Sequence, residues 1–86
     1  MREIVFLRSA ERDLAKLPAP DQQRILDALS RYAETGYGDV KRLTGHKPPQ
    51  YRLRAGDIRL RFLDGPGQPP EILVLRIFRR DKAYRD

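Results

Sequence analysis

The feature that most constrains the fold of this chain is a strict alternation of apolar and arginine residues within residues 51–62. The apolar positions are Tyr51, Leu53, Ile58, Leu60 and Phe62, and the positions between them are Arg52, Arg54, Arg59 and Arg61. A period of two is typical of β-strands, because successive side chains of a strand point to opposite faces. Ala55-Gly56-Asp57 interrupts the pattern, so the sequence predicts two strands joined by a tight turn.

The length of that turn decides which side chains share a face. A two-residue turn, at Ala55-Gly56 or at Gly56-Asp57, pairs even-numbered residues of the first strand with odd-numbered residues of the second. This register places all four arginines on one face and the apolar residues on the other. A three-residue loop would set Arg52 opposite Leu60 and mix the two kinds of side chain. We therefore expect a two-residue turn and an exposed face of four arginines.

The segments around this hairpin predict two helices and two more strands. A β-branched run at residues 2–7 predicts an N-terminal strand, and apolar residues three and four apart predict a helix capped by Ser9 and a second helix starting near Asp21. Gly36 to Pro49 is expected to be a loop, and Glu71 to Arg79 a last, centrally placed strand. The expected fold class is α+β: an N-terminal strand, a two-helix hairpin and three antiparallel strands packed on the helices.

Length and composition exclude several classes of protein. With 86 residues, the chain is expected to form one domain spanning residues 1–86. It has no cysteine and a single histidine, His46, so thiolate chemistry and a multi-histidine metal site are excluded. No apolar run approaches the roughly 20 residues of a membrane helix. We expect a cytoplasmic protein that needs no metal, no cofactor and no membrane.

The net charge of +6 is concentrated in one half of the chain. Residues 1–40 hold six Lys or Arg against seven Asp or Glu, whereas residues 41–86 hold twelve against five. A localised positive field of this kind favours binding to a polyanion, most simply to nucleic acid phosphates.

Four arginines on one strand face also need a physical explanation, because like charges opposite each other destabilise a sheet by up to about 1 kcal/mol per pair. One explanation is structural: arginine stems can lie along apolar surface, and Asp57, Asp81 or Glu71 can offset the charge. The explanation we favour is a bound phosphodiester, held by planar guanidinium groups. Arg76 and Arg80 are expected to extend the same surface.

Catalysis by this face would need a separate proton acceptor. Arginine can stabilise a developing phosphorane, but with a pKa above about 12 it is not a base. The candidates for a base are Tyr84, Asp81, His46, Lys47 and Lys82. No phosphate-binding loop, metal-binding carboxylate cluster or serine triad is present. A nuclease built from these residues would be metal-independent, with the 2′-hydroxyl of RNA as the nucleophile.

The order of elements and two sequence stretches resemble the RelE/ParE superfamily of type II toxins. The likeness is greater to the RelE-like branch than to the ParE-like branch. The stretches are KRLTGHKPPQYRLRAGDIRLRF at residues 41–62 and VLRIFRRDKAYR at residues 74–85, and the likeness covers nearly the whole chain. The resemblance implies a curved antiparallel sheet packed on two helices and a cognate antitoxin, a small acidic or amphipathic protein that wraps the toxin.

The resemblance also assigns roles to residues. It implies that Arg52 and Arg54 occupy two basic positions of the hairpin, that Arg59 holds the scissile phosphate, and that Arg80 stabilises the transition state. Tyr84 would orient the proton-accepting base or the nucleophile. It could also stack on a nucleobase of the RNA. The set expected to be catalytic is Arg54, Arg59, Arg80 and Tyr84. The set expected to bind RNA is Lys41, Lys47, Arg52, Arg61, Arg76, Arg79 and Lys82.

The function expected from the resemblance is cleavage of mRNA, in the ribosomal A site, by a toxin that an antitoxin neutralises. Two departures concern the base, since arginine stands where relatives often have lysine and Arg79 where they often have histidine; the base could then be Tyr84 or Asp81. The alternative is a binding module: a ParE-like inhibitor of DNA gyrase, or an inactive toxin that forms half of a DNA-binding repressor complex.

Overall fold

A computed structural model describes residues 1–80 of the chain. In chain order the elements are β1 (Ile4–Phe6), α1 (Arg8–Ala15), α2 (Ala19–Thr35), β2 (Asp39–Leu43), β3 (Gln50–Ala55), β4 (Ile58–Asp64) and β5 (Ile72–Arg79). The strands form one sheet in the order β1-β5-β4-β3-β2. β1 runs parallel to β5, and every other neighbouring pair is antiparallel. The predicted α+β class, with an N-terminal strand and a helical hairpin before the main sheet, is confirmed.

The turn between β3 and β4 has two residues, Gly56 and Asp57, because Ala55 pairs with Ile58. Gly56 has a φ of 61°, in the left-handed region that a tight hairpin turn requires and that glycine adopts without strain. The predicted register is confirmed, and β3 and β4 each present one apolar face and one arginine-bearing face.

The core fills the space between α2 and the inner face of the sheet. Ile25, Leu29 and Ala33 recur every four residues along α2 and are buried against the sheet. They form one hydrophobic cluster with the buried sheet residues Leu53, Ile58, Leu60, Phe62, Ile72, Val74 and Ile77. Because the apolar residues of the hairpin are all used in this core, the arginines are left on the outer face. Within residues 1–80, no helix is long and apolar enough to cross a membrane.

Two details of the secondary structure differ from prediction at the edges of the fold. The segment expected to be a loop, Gly36 to Pro49, contains β2, so four strands follow the helices and not three. β2 is an edge strand whose residues are exposed or half-buried, and its lysine and arginine are the charges that protect such edges from aggregation. Its apolar pattern is therefore too weak to reveal a strand.

Both helices begin earlier than predicted. α1 starts at Arg8 with Leu7 as its N-cap, while the Ser9 hydroxyl donates to the Leu75 carbonyl oxygen of β5 at 2.8 Å. A tertiary hydrogen bond thus replaces the expected local cap. α2 starts at Ala19 and has proline in its first turn, where a missing N–H costs nothing.

α1 also closes the free edge of β5. β1 pairs only with the first three residues of β5, so the edge beyond Val74 has no strand partner among residues 1–80. Asp13 of α1 accepts hydrogen bonds there from the Ile77 N–H at 3.0 Å and from Arg76 Nε at 2.7 Å. Burial by itself would raise the pKa of Asp13, but the hydrogen bonds from Arg76 and Ile77 outweigh burial and lower it.

We expect Asp13→Asn to lower the free energy of unfolding by about 1–3 kcal/mol at neutral pH, because Arg76 and Ile77 lose a charged acceptor. The folded-state pKa of Asp13 lies below its ordinary value of 3.8, so ionisation of Asp13 stabilises the fold above that value. This stabilisation is lost as the pH falls through the folded-state pKa. Urea titrations should show the two proteins differing fully near neutrality and converging below about pH 4; a difference independent of pH would contradict the assignment.

Candidate functional site

The outer face of the β3–β4 hairpin carries Arg52, Arg54, Arg59 and Arg61, which we call the arginine face. Arg52 lies directly opposite Arg61, and Arg54 directly opposite Arg59. The two rows continue into the neighbouring strands: Lys41 of β2 and Arg76 of β5 extend the first, and Asp39 of β2 and Phe78 of β5 extend the second. The site is therefore a patch of basic side chains across four strands.

A bulge in β5 determines which of its side chains join this patch. The register with β4 shifts between Arg61 and Phe62, so that Leu75 is an extra residue between Val74 and Arg76. Val74 points into the core, whereas Arg76 and Phe78 lie on the outer face. Without the bulge, Val74 and Arg76 would share one face.

One carboxylate of β2 partly offsets the charge of the arginine face. Asp39 Oδ2 lies 3.5 Å from Arg54 Nε, and Asp39 Oδ1 lies 4.0 Å from Arg52 Nη2. All three side chains are partly exposed to solvent, and exposed pairs of this kind contribute about 0–1 kcal/mol. Arg52 Nε is buried and has no hydrogen-bond partner within residues 1–80. Asp39 therefore lies between the two arginines and offsets only part of the positive charge of the arginine face.

Arg59 is the buried member of the arginine face, with 9% of its surface exposed. Its Nη1 donates a hydrogen bond to the Gly56 carbonyl oxygen at 3.3 Å. Burial, followed by the positive charges of Arg54, Arg52 and Arg80, lowers the pKa of Arg59, and the charge of Asp57 raises it by less. Arginine stays protonated at physiological pH in spite of this. Arg59 is thus a cation held under electrostatic repulsion, which an anion would relieve.

A cleft of about 150 Å³ lies beside Arg59. Its lining residues are Arg54, Gly56, Asp57, Arg59 and Arg80. Arg80 reaches the cleft because its backbone N–H donates to the Asp57 carbonyl oxygen at 2.6 Å, which ties the end of β5 to the β3–β4 turn. The volume corresponds to several water molecules at about 30 Å³ each, enough for a phosphate-sized anion between three guanidinium groups.

The structure brings most of the predicted site residues together and separates others from them. Arg52, Arg54, Arg59, Arg61 and Arg80 converge, with Lys41 on the β2 flank. Arg76 lies in the same row as Arg61, but its guanidinium is hydrogen-bonded to Asp13.

The remaining predicted residues either lie away from the patch or fall outside the part of the chain that the structure describes. Arg79 pairs with Ile58 on the inner face, and its Nη1 lies 2.8 Å from Asp21 Oδ2 at the start of α2, so it does not join the patch. Lys47 and His46 lie in the loop between β2 and β3, at the far end of β3 from Gly56. Tyr84, Asp81 and Lys82 lie outside the described residues.

Sequence reasoning missed Asp39 and Phe78 as members of this surface. The sequence does not indicate that Asp39 belongs to this surface, because the pattern of residues 36–49 predicts a loop and not the strand β2. Phe78 could have been found, since it has the parity of Arg76 and Arg80 along β5. The Phe78 ring centroid lies 5.8 Å from the guanidinium carbon of Arg61, a cation–π distance. Asp57 and Glu71 were both candidates to offset the arginine charge. Asp57 lines the cleft, whereas Glu71 lies near Gly65.

The crowding of charge predicts that Arg59→Met raises the free energy of unfolding by about 0.5–1 kcal/mol in a buffer of low ionic strength, because one buried like charge is removed. Salt screens the repulsion, so the gain should shrink in about 0.5 M NaCl. Thermal or urea unfolding at both salt concentrations measures it, with Arg12→Met on α1 as the control that should show no salt-dependent gain. A loss of stability at low salt would refute the repulsion.

Comparison with solved structures identifies the fold. Among the structures that resemble this chain is the RelB-RelE antitoxin-toxin complex from Methanococcus jannaschii, with a TM-score of 0.72 and 21% sequence identity over 94% of this chain and 95% of that chain. The archaeal RelE-RelB complex from Pyrococcus horikoshii OT3 matches with a TM-score of 0.73 and 21% identity over 92% and 94%.

A third match is the toxin-antitoxin complex RelBE2 from Mycobacterium tuberculosis, with a TM-score of 0.58 and 26% identity over 92% of this chain and 98% of that chain. No model of a protein family and no curated protein matches the sequence. The resemblance to RelE predicted from the sequence is confirmed for the fold along nearly the whole chain.

Proposed function

We propose that this chain is the toxin of a type II toxin–antitoxin system and acts as a metal-independent endoribonuclease on mRNA in the ribosomal A site. The observation that carries the proposal is the cleft in which Arg54, Arg59 and Arg80 converge around a space of phosphate size. The RelE fold, found here in relatives solved as antitoxin–toxin complexes, supports it. The proposed activity belongs to the cytoplasm, where translation takes place.

The proposed reaction is an intramolecular displacement at phosphorus. The 2′-oxygen of one nucleotide forms a bond to the adjacent phosphorus, the bond from phosphorus to the 5′-oxygen of the next nucleotide breaks, and a 2′,3′-cyclic phosphate remains. The 2′-hydroxyl proton passes to a base, and the departing 5′-oxygen takes up a proton. Charge builds on the non-bridging oxygens, so fixed guanidinium groups bind the transition state more strongly than the substrate.

Three arginines of the described chain have distinct roles in this proposal. Arg59, buried and repelled by its neighbours, holds the scissile phosphate. Arg80 approaches from the end of β5 and stabilises the charge that develops in the transition state. Arg54 completes the third side of the cleft. None of them can accept a proton at neutral pH, so the base is proposed to be Tyr84 or Asp81.

The remaining basic residues of the outer face are proposed to bind the RNA backbone. Lys41, Arg52 and Arg61 extend the charge from the cleft across β2, β3 and β4. Arg76 can contribute its charge from the end of the row. Arg79 is not part of this proposal, because it faces α2.

The first test is induction of the gene in growing cells with separate measurement of translation and DNA replication. We expect growth arrest in which translation stops first, and we expect Arg59→Ala and Arg80→Ala to abolish it, since removing one transition-state donor typically costs about 10²–10³ in rate. Arg12→Ala, a change of the same type at an exposed residue of α1 that does not line the cleft, should remain toxic. Circular dichroism must show that all three variants are folded.

Several outcomes of this test would contradict the proposal. Unchanged toxicity of folded Arg59→Ala and Arg80→Ala would exclude the nuclease. Replication stopping before translation would favour the alternative, a ParE-like gyrase inhibitor. Mapping the 5′ ends of cellular mRNA after induction adds a direct measurement, because A-site cleavage produces ends in register with the reading frame.

A cognate antitoxin that covers the basic surface should bind in a salt-dependent way. We expect the affinity of an acidic, amphipathic antitoxin to fall as NaCl rises from about 50 to 500 mM, because exposed charge pairs are screened. The substitutions Arg52→Gln and Arg61→Gln should reduce that salt dependence, and Arg12→Gln should leave it unchanged. Calorimetric titration measures it, and an affinity independent of salt would show that the antitoxin docks elsewhere.

A further inference from the structure

A second cavity adjoins the cleft on the other side of Arg54. This groove, of about 410 Å³, lies between α2 and strands β2 and β3. Its lining includes Arg24, Ala28, Arg31, Tyr37, Arg54 and Ala55. Arg54 lines both cavities, so the groove and the cleft are neighbours on the surface of the hairpin.

One residue that lines the groove, Tyr37, is aromatic and exposed to solvent. Tyr37 is 77% exposed, although exposing a large aromatic side chain forgoes the stabilisation that its burial would provide. The other exposed large hydrophobic residues within residues 1–80 are Met1, at 79%, and Leu7, at 42%, both near the N-terminus. The position of Tyr37 is not explained by the packing of this chain.

The backbone holds Tyr37 at this position from both sides. Gly36 ends α2 with a φ of 78° and donates to the Tyr32 carbonyl oxygen at 2.8 Å. The Tyr37 N–H donates to Thr35 Oγ1 at 3.1 Å. Gly38 lies so close to the sheet that a Cβ atom there would stand 3.3 Å from Leu53 Cδ1. The exposed ring is therefore presented by a fixed segment.

The charges of the groove are balanced more closely than those of the cleft. Three arginines, Arg24, Arg31 and Arg54, line it together with two carboxylates. One carboxylate, Asp27, accepts a hydrogen bond from Gln23 Nε2 at 2.8 Å, and the other, Asp39, lies between two arginines of the outer face. A ligand of the groove would gain modestly from charge and more from contact with Tyr37 and the small apolar residues Ala28 and Ala55.

We propose that the groove is a subsite for single-stranded RNA next to the scissile phosphate, in which Tyr37 stacks on a base and Arg31 and Arg24 contact the backbone. This inference rests on the proposed function and extends it from the cleft to the neighbouring nucleotides. Proteins bind single strands without strict sequence preference by combining positively charged side chains with exposed aromatic rings, since every base has a face to stack; the groove offers three arginines and Tyr37 for these two roles. Because Arg54 lines both cavities, a strand held in the cleft has its neighbouring nucleotides beside the groove.

The test compares binding of two RNA oligonucleotides by fluorescence anisotropy. One has three nucleotides and spans the cleft alone, the other has about eight, and a 2′-deoxy nucleotide at the scissile position prevents cleavage in both. We expect Tyr37→Ala to weaken binding of the longer RNA by about tenfold, the range typical for losing one base–aromatic stack, and to leave the short RNA unaffected. Tyr37→Phe, which keeps the ring, should bind both as the unchanged protein does.

The charge contribution has its own measurement and control. Arg31→Gln should reduce the slope of log affinity against log salt by about 0.7 for the longer RNA, the value for one phosphate contact on a single strand. Arg12→Gln, a matched substitution on α1, should leave the slope unchanged.

The outcomes separate this inference from the function on which it rests. If the unchanged protein binds neither RNA but its induction still stops translation, the subsite is refuted and the function stands; if it binds neither RNA and its induction leaves translation running, both fail. If it binds both and Tyr37→Ala binds them equally well, the subsite is refuted and the function stands. Loss of binding to an acidic antitoxin peptide, with RNA binding intact in Tyr37→Ala, would show that the groove is a protein-binding site and would also overturn the inference.

Discussion

The register of the β3–β4 hairpin is the constraint on which the rest of the structure depends. A turn of two residues, made possible by the left-handed Gly56, pairs Arg54 with Arg59 and Arg52 with Arg61. The same register turns Leu53 and Leu60 inward, where they meet the apolar stripe of α2. Core formation and the clustering of charge are therefore one event, because a hairpin that buries its apolar side chains must place its arginines together on the opposite face.

Placing these cations together has an energetic cost that the fold reduces but does not remove. Asp39 on β2 lies between two of the arginines, and Asp57 in the turn acts on Arg59, while burial and three neighbouring arginines still lower the pKa of Arg59. Interactions that destabilise the isolated chain and would stabilise a complex are common at functional sites.

The β1–β5 side of the sheet also contributes side chains to the site. α1 covers the part of β5 that β1 leaves unpaired, and the bulge at Leu75 turns Arg76 and Phe78 outward. The bond between the Arg80 N–H and the Asp57 carbonyl oxygen then brings a third guanidinium to the cleft. Residues 57 and 80, which are distant in sequence, thus meet at the turn. RelE chains of 21–26% identity share this arrangement of elements, so the fold tolerates wide change in sequence.

The sequence by itself determined the hairpin, its two-residue turn and the shared face of four arginines, because a period of two and a core that must exclude charge leave one register. It also determined the stripe of α2 and the central position of β5, whose apolar residues serve both sides. Only the tertiary structure decided that Asp39 belongs to the site, that Arg79 turns away to Asp21, and that Tyr37 stands exposed beside a groove. Each of these depends on the docking of an edge strand, a bulge or a helix end, where weak local preferences yield to contacts between segments distant in sequence.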